Sequence, residues 1–343
     1  AILIEANTGE VLFEKNADEI MYPASTTKIM TAYIALQMGD MDNDVVTVSQ
    51  NAIDLVPPTY QTIPLSAGEQ VPLLDLISVM LIRSGNEAAN AVAEYLAGSV
   101  ESFADLMNQT AQMLGCSENT HFANPNGLPD DTHVTTAYDL ALIARAAMGN
   151  DTFRKIVSTQ RAEIPWAGRS YNRQLKNKNR LLESYPGATG VKTGFTSRAG
   201  RCLVFGASRD GMELVGVVLN CSDWFDEAER LMDACFETYT MARVLGPTMA
   251  AGKIAVEDGR RESARLCAMQ ELRVPLHEGE SAQIVLDVPQ SLRAPGYAGQ
   301  HIGTAQVVVG GKTLASCEVV LSEYVESRRL TLDVRRVVSR WML

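Results

Sequence analysis

The chain begins with two short apolar runs separated by turn residues. A stretch with apolar residues at helical spacing follows them. Residues 2–6 and 11–15 are β-prone and flank a Gly-containing turn, which predicts a β-hairpin. Apolar positions at helical spacing then predict a helix from about Ser25 to Met38, ended by Gly39. The chain therefore opens with a hairpin followed by a buried helix.

From about Leu73 to Gly149 the apolar residues recur mostly at helical spacing. Strand patterns return after Pro186-Gly187, and Asp210-Gly211 between two β-rich runs is a strong hairpin signal. We expect a further helix from Asp223 to about Leu245. Strands that bracket a helical insertion predict an α/β fold, an antiparallel sheet with an α-rich subdomain at about residues 65–150.

Beyond Gly246-Pro247 the pattern changes to short strands separated by Gly, Pro and Asn/Asp, which predicts a small all-β domain. The expected domains are therefore 1–246 and 247–343, the second a β-sandwich. Its predicted strands are Leu272–Val274, Ala282–Leu286, Thr304–Val309, Thr313–Leu321 and Leu330–Val334. The last stretch also fits a basic amphipathic helix ending near Trp341, which would suit a membrane surface.

Composition narrows the function classes. With 343 residues, 46% of them hydrophobic and 21% charged, two globular domains are the expected arrangement. A net charge of −11 argues against nucleic acid as a partner, because phosphate binding needs a positive field. No apolar run reaches the length of a membrane span. Because residue 1 already lies in a strand-like pattern, any export signal is expected to precede this numbering.

Cysteine and histidine spacing predicts neither a metal site nor a cofactor. The six cysteines form no Cys-x-x-Cys pair, and the four histidines fit no zinc pattern. Buried free thiols are the expectation, and one disulfide between Cys202 and Cys221 remains open, because they fall on strands expected to pair.

The chemistry of the chain is concentrated in three short motifs. Ser25 and Lys28 form the only Ser-x-x-Lys, a spacing that places a hydroxyl and an amine one helical turn apart. Such an amine can take the proton of a serine that is too weak a nucleophile unaided. Ser84-Gly85-Asn86 follows a buried apolar run, and Lys192-Thr193-Gly194 lies on a predicted strand. This trio is a known pattern of penicillin-binding proteins and β-lactamases.

Longer runs around the motifs sharpen the assignment. Residues 22–32 (YPASTTKIMTA), 83–90 (RSGNEAAN), 124–128 (NPNGL) and 190–196 (GVKTGFT) closely resemble D-alanyl-D-alanine carboxypeptidases, which are low-molecular-mass penicillin-binding proteins. The resemblance is specific over about residues 1–245 and looser over the β-domain. It implies a β-lactamase/transpeptidase-like fold, and a serine peptidase that removes the terminal D-alanine from peptidoglycan stem peptides ending in D-Ala-D-Ala.

Catalytic roles follow from this resemblance together with the chemistry of each group. Ser25 is expected to attack the carbonyl between the two D-alanines, with Lys28 as its base. Lys192 is a candidate for the cation that lowers the pKa of Lys28. Ser84 is expected to relay a proton to the leaving amine, and Asn86 to orient Lys28 and the substrate amide.

Substrate binding is expected along the third motif. Thr193 offers a hydroxyl to the terminal carboxylate, and Gly194 lets the substrate backbone approach the strand. The resemblance implies an oxyanion hole made by the backbone N–H groups of Ser25 and Phe195. Arg198 is a candidate partner of the substrate carboxylate, with an exposed strand-end charge as the equal alternative. Penicillin is expected to acylate Ser25 in the same way.

The resemblance also implies export, attachment at the outer face of the cytoplasmic membrane through a C-terminal tail, and a role in cell-wall biogenesis and cell shape.

Three alternative functions stay open. A DD-endopeptidase acting on cross-links is barely separable by sequence. A β-lactamase is disfavoured because no Glu-x-x-Leu-Asn stretch lies between Asn86 and Lys192. A non-catalytic wall-binding protein is disfavoured because all the expected catalytic residues are present.

Overall fold

The computed structural model describes residues 1–60, 63–247, 249–328 and 341. The chain forms two compact units, Ala1–Glu237 and Thr238–Leu343. The division falls slightly before Gly246-Pro247, because the strand that precedes this dipeptide pairs within the second unit.

The first unit is built on a five-stranded antiparallel sheet in the order β2-β1-β9-β8-β7. Its strands are β1 (Ile2–Glu5), β2 (Val11–Glu14), β7 (Ala188–Thr196), β8 (Gly200–Arg209) and β9 (Met212–Val218). The predicted hairpins around residues 7–10 and 210–211 are both present. Strand β7 is the last strand of the sheet, so only one of its backbone edges is paired within it.

Much of the sequence between β2 and β7 is helical, and the stretch from Leu73 to Gly149 is mostly helical as predicted. The helices are α1 (Lys28–Met38), α2 (Gln50–Asp54), α3 (Leu73–Ser78), α4 (Asn86–Ala97), α5 (Val100–Met113), α6 (Ala137–Met148), α7 (Asp151–Val157) and α8 (Leu181–Ser184), and α9 (Trp224–Thr238) follows the sheet. Tighter or wider turns occur at Ala24–Thr27, Pro58–Tyr60 and Val79–Arg83. Two short hairpins, β3 (Val45–Thr47) with β4 (Gln70–Pro72) and β5 (Arg161–Ile164) with β6 (Arg173–Lys176), complete the unit.

Helix α1 is the central helix of this unit. Its first eight residues are almost all buried, and their apolar members belong to the main hydrophobic core. A helix that is apolar on all sides is expected to be surrounded by other elements. The core therefore fixes the position of Lys28, the first residue of α1.

Two predicted helix boundaries are wrong. The first helix begins at Lys28 rather than Ser25, because the Ala24–Thr27 segment forms a 3-10 turn. The last helix ends at Thr238 rather than Leu245, because Tyr239–Leu245 forms strand β10, which pairs with β13 (Leu272–His277). Pairing with a distant strand overrides local helical propensity there.

The second unit is all-β over residues 239–247 and 249–328, as predicted. Besides β10 and β13 it contains β11 (Ala250–Glu257), β12 (Ser263–Ala268), β14 (Gln283–Asp287), β15 (Ser291–Arg293), β16 (His301–Val309) and β17 (Lys312–Leu321). These six form one sheet in the order β14-β16-β17-β12-β11-β15. Strands β11, β12 and β15 were not predicted. The predicted strand Leu330–Val334 and the alternative terminal helix lie outside the described residues.

A buried ion pair ties the segment after Tyr60 to the β5–β6 hairpin. The Arg173 guanidinium donates to both carboxylate oxygens of Glu69 at 2.7 Å, and both side chains are almost fully buried. Arg173 also donates to the Pro64 carbonyl at 2.9 Å and stacks on the Trp166 ring. The bidentate geometry offsets the desolvation of the two charges.

We expect Arg173→Met to lower the free energy of unfolding of the first unit by roughly 3–5 kcal/mol, because Glu69 is left buried without its cation. The measurement is the urea midpoint followed by tryptophan fluorescence. Arg230→Met, which removes an exposed pair with Glu227 on α9, is the matched control and should leave the midpoint unchanged. Equal shifts for the two variants would contradict the assigned importance of the buried pair.

Candidate active site

Ser25 lies in the tight turn that precedes α1. Ala24 has a left-handed backbone, with φ of 49°. The turn is closed by two threonine hydroxyls: Thr26 donates to the Pro23 carbonyl at 2.6 Å, and Thr27 donates to the Ala24 carbonyl at 2.8 Å. A left-handed non-glycine residue is strained, and such strain persists only where surrounding contacts enforce it.

The Lys28 amine is completely buried and has three hydrogen-bond partners. Its Nζ lies 3.0 Å from Ser25 Oγ, 2.6 Å from Asn86 Oδ1, and in contact with the Asn126 carbonyl oxygen. Two of these partners only accept hydrogen bonds, whereas the serine hydroxyl can also donate. A neutral amine therefore satisfies all three by donating to the two carbonyl groups and accepting the Ser25 proton. This is the geometry of a general base.

The surroundings of Lys28 favour that neutral form. Burial holds the pKa of the Lys28 amine well below its usual range, and the nearby Lys192 and Lys178 lower it further. Burial, and to a smaller extent the charge of Lys178, lowers the pKa of the Lys192 amine as well. Desolvation is the largest cause of the lowered Lys28 pKa, and the charge of Lys192 is the second.

The second motif is placed by a break in the helices. The wide turn Val79–Arg83 ends at Ser84, which adopts a left-handed backbone with φ of 65°, and α4 begins at Asn86. Asn86 donates through Nδ2 to the Tyr60 carbonyl at 2.7 Å while its Oδ1 accepts from Lys28. This pair of contacts fixes the amide orientation, so Asn86 holds the Lys28 amine in place.

The third motif lies on the edge strand β7. Lys192 is buried and donates to the Thr193 carbonyl at 2.8 Å. A Cβ added at Gly194 would lie only 3.0 Å from the Ser25 nitrogen, so this close approach of β7 to the nucleophile turn favours glycine. The next side chain, Phe195, is exposed.

These elements meet around one cleft of about 380 Å³. Six predicted site residues line it: Ser25, Ser84, Asn86, Thr193, Gly194 and Phe195. Lys28 and Lys192 lie buried beside it. Thr59, Tyr60, Lys178 and Trp224 also line the cleft and were not predicted, because no short motif marks them.

Arg198 has other partners. Its guanidinium pairs with Asp131, donates to the Tyr22 hydroxyl at 2.6 Å, and lies over the Tyr22 ring. It lines a separate narrow pocket together with Tyr22 and His133. Of the predicted residues, Arg198 is therefore the one that the structure does not bring to the Ser25 cleft.

The loop 124–133 packs against the turn and the helix that carry Ser25 and Lys28. Besides the contact of Lys28 with the Asn126 carbonyl, Thr31 donates to the Pro125 carbonyl at 2.6 Å. Gly127 has φ of 80°, and a Cβ there would overlap the Ala24 carbonyl oxygen. Residues 124–128 are one of the runs that carry the family resemblance, but no pattern indicated that their carbonyl groups bind α1.

All six cysteines are free, and Cys202 and Cys221 are not bonded to each other. Burial raises the pKa of the Cys202 thiol to about 11. The open possibility of a disulfide is therefore not realised in this structure, and Cys202 packs as an inert side chain.

Solved structures of known proteins share this fold. Penicillin-binding protein 5 from Haemophilus influenzae superposes with a TM-score of 0.75 at 28% identity, covering 95% of this chain and 96% of that one. Fold, cleft and motif placement together define an active-serine enzyme of the penicillin-binding protein class.

Sequence comparison narrows the class to a family. The family model for D-alanyl-D-alanine carboxypeptidase matches residues 1–223, and the one for the penicillin-binding protein 5 C-terminal domain matches residues 239–327. The D-alanyl-D-alanine carboxypeptidase DacF of Bacillus subtilis is 30% identical over 99% of this chain and 89% of its own length. The enzyme DacC of Escherichia coli is 34% identical over 95% and 83%. The chain belongs to the D-alanyl-D-alanine carboxypeptidase family of serine peptidases.

We expect the rate of Ser25 acylation by a β-lactam to rise much less between neutral and mildly alkaline pH than it would with an ordinary lysine as the base, because burial holds the pKa of the Lys28 amine well below its usual range. Stopped-flow measurement with a fluorescent penicillin gives the profile. Lys28→Arg should lower the rate by about 10²–10⁴-fold, and Lys155→Arg on the surface should not. A rate that rises tenfold per pH unit between about pH 7 and 9 would show an ordinary lysine and contradict the assignment.

Proposed function

We propose that this protein is a serine DD-carboxypeptidase that releases the terminal D-alanine of peptidoglycan stem peptides through an acyl-enzyme on Ser25. The observation that carries the proposal is the contact of the buried Lys28 amine with the Ser25 hydroxyl at the base of a cleft bordered by an open strand edge. Family membership supplies the substrate class.

Acylation follows from the positions of the groups. Lys28 takes the Ser25 proton as Oγ bonds to the carbonyl carbon between the two D-alanines. The carbonyl oxygen becomes an oxyanion, which the backbone N–H groups of Ser25 and Phe195 stabilise. The C–N bond then breaks, and the proton that Lys28 took reaches the departing amine through Ser84, so that both Lys28 and Ser84 return to their starting states. Water cleaves the resulting ester, releasing the shortened peptide and Ser25.

The cleft also suits the charge of the substrate. Its lining includes Thr193 and the exposed Lys178, with Lys192 buried beside them, and no acidic residue is among the described residues that line it. A hydroxyl among lysines is a suitable site for the terminal carboxylate. For Arg198 to bind this carboxylate, it must exchange Asp131 for the substrate.

A β-lactam is expected to acylate Ser25 through the same steps. Its strained amide opens on attack, but the amine stays attached to the acyl group, so no fragment departs and the adduct persists. Inhibition by penicillin is therefore part of the proposal.

We place the reaction outside the cytoplasm, at the outer face of the cytoplasmic membrane, because that is where the proposed substrate is found. The structure shows no helix among its described residues with the length and apolarity needed to cross a membrane. A C-terminal membrane-binding tail, which belongs to this proposal, lies outside those residues.

We expect the wild-type protein to release D-alanine from a synthetic peptide ending in D-Ala-D-Ala and to gain the mass of one penicillin. Ser25→Ala should do neither, because the substitution removes the hydroxyl that the Lys28 amine contacts. Ser170→Ala, on an exposed loop, is the matched control. An enzyme-coupled D-alanine assay and intact-protein mass spectrometry give the two readouts.

The outcomes separate the alternatives. Loss of dimeric muropeptides without D-alanine release would favour an endopeptidase, and rapid turnover of penicillin without an adduct would favour a β-lactamase. Peptide binding without any covalent adduct would indicate a non-catalytic wall-binding protein. Each of these results would overturn the proposed carboxypeptidase activity.

A further inference from the structure

His133 is a buried histidine that the catalytic steps above do not use. Only 2% of its surface is exposed. Its Nε2 lies 2.7 Å from the Thr27 hydroxyl, and its Nδ1 accepts from the Ala123 backbone N–H at 3.0 Å. The ring also packs edge-on against Phe122. His133 therefore connects the loop 124–133 to the turn that carries Ser25.

Two contacts fix the tautomer of this ring. Nδ1 faces a backbone N–H, which only donates, so Nδ1 carries no proton. The single Thr27 hydroxyl proton goes to the Ala24 carbonyl, so the bond between Thr27 and His133 must use a proton on Nε2. His133 is thus a neutral imidazole that donates from Nε2.

The neutral form is also favoured by the surroundings. Burial lowers the pKa of His133 to about 3, against the opposing charge of Asp130, while His121 and Lys28 act in the same direction as burial. The hydrogen-bond direction therefore holds across the working pH range of a cell-wall enzyme.

The chain of hydrogen bonds ends on the peptide group that contains the Ser25 amide. His133 Nε2–H donates to Thr27 Oγ1, whose proton is donated to the Ala24 carbonyl oxygen. The Ala24 carbonyl and the Ser25 N–H belong to one planar trans peptide group and point in opposite directions. Holding the carbonyl therefore sets the direction of the Ser25 N–H.

We propose that His133 is a positioning residue for the oxyanion hole: through Thr27 and the Ala24 carbonyl it aims the Ser25 N–H at the oxyanion. The inference rests on the proposed function, because the donor matters only if Ser25 forms a tetrahedral intermediate. The bond chain also polarises the peptide group, since a carbonyl that accepts a hydrogen bond makes its N–H a stronger donor.

The backbone of Gly127 limits where the Ala24 carbonyl group can lie. Its Cα packs against the Ala24 carbonyl so closely that any side chain would overlap the oxygen. The carbonyl is therefore confined on one side by the backbone of the loop and held on another by Thr27. The left-handed φ of Ala24 is the strained conformation that these contacts enforce.

Paired variants test the two ring nitrogens of His133 one at a time. His133→Gln places an amide N–H near the Nε2 position and keeps the donor to Thr27. His133→Asn keeps an acceptor for Ala123 N–H and loses that donor. Thr27→Ser keeps the hydroxyl, and Thr27→Val removes it. His133→Asn combined with Thr27→Val tests whether the two residues act in one chain.

We expect kcat for D-alanine release to fall about tenfold in His133→Asn and Thr27→Val, because a misdirected donor weakens only the transition state. KM should stay within about twofold. A peptidyl boronic acid, which forms a tetrahedral adduct with serine, should lose affinity by the same factor as kcat. Glutamine at 133 and serine at 27 should retain most activity, and the double variant should resemble either single variant.

Wild-type activity separates the two proposals. If the wild-type protein releases no D-alanine, the proposed function fails. If it does, and His133→Asn keeps kcat and boronic acid affinity, the role of His133 is overturned. A purely structural role would raise KM together with lowering kcat, give glutamine no advantage over asparagine, and also overturn it. Thermal unfolding of each variant verifies that a folded protein is compared.

Discussion

The burial of one lysine amine is the constraint on which the site depends. Lys28 begins a helix whose first eight residues are almost all buried, and its amine is held by carbonyl oxygens from two other segments, those of Asn86 and Asn126. Burial penalises the charged form of this amine and so favours the form without the extra proton. The neutral, proton-accepting form of Lys28 is thus favoured by burial in the hydrophobic core, and water that reached the amine would raise its pKa and leave more of it protonated.

The sequence alone predicted those features of the fold and the site that depend on one short stretch of chain. A serine and lysine one turn apart, an Asn after a buried run, and a Lys-Thr-Gly on a strand were each readable, and the structure brings Ser25, Ser84 and Thr193 to the same cleft. Antiparallel hairpins with Gly-containing turns were equally clear. These features depend on spacing and turn chemistry, which one stretch of chain determines by itself.

Features that arise between distant segments could not be read in this way. The segment Tyr239–Leu245 has helical propensity but pairs with Leu272–His277, and that partner lies outside any local window. Arg198 follows the third motif in sequence, yet Asp131 from another loop binds it. His133 carries no motif, and its link to Thr27 spans more than a hundred residues of chain. Propensity and spacing contain no information about such partners.

The two buried lysines also connect the chemistry of the site to the folding of the chain. In the unfolded chain Lys28 and Lys192 bind protons with ordinary affinity, whereas burial lowers the pKa of both in the folded protein. Folding therefore expels protons, and the unfolded state binds more of them, so the contribution of these two groups to stability increases as the pH rises. Burying the two amines costs folding free energy, so the molecule is less stable than one with apolar residues at these positions. The same burial lowers the pKa of the amines, and this is what lets an amine act as a base at neutral pH.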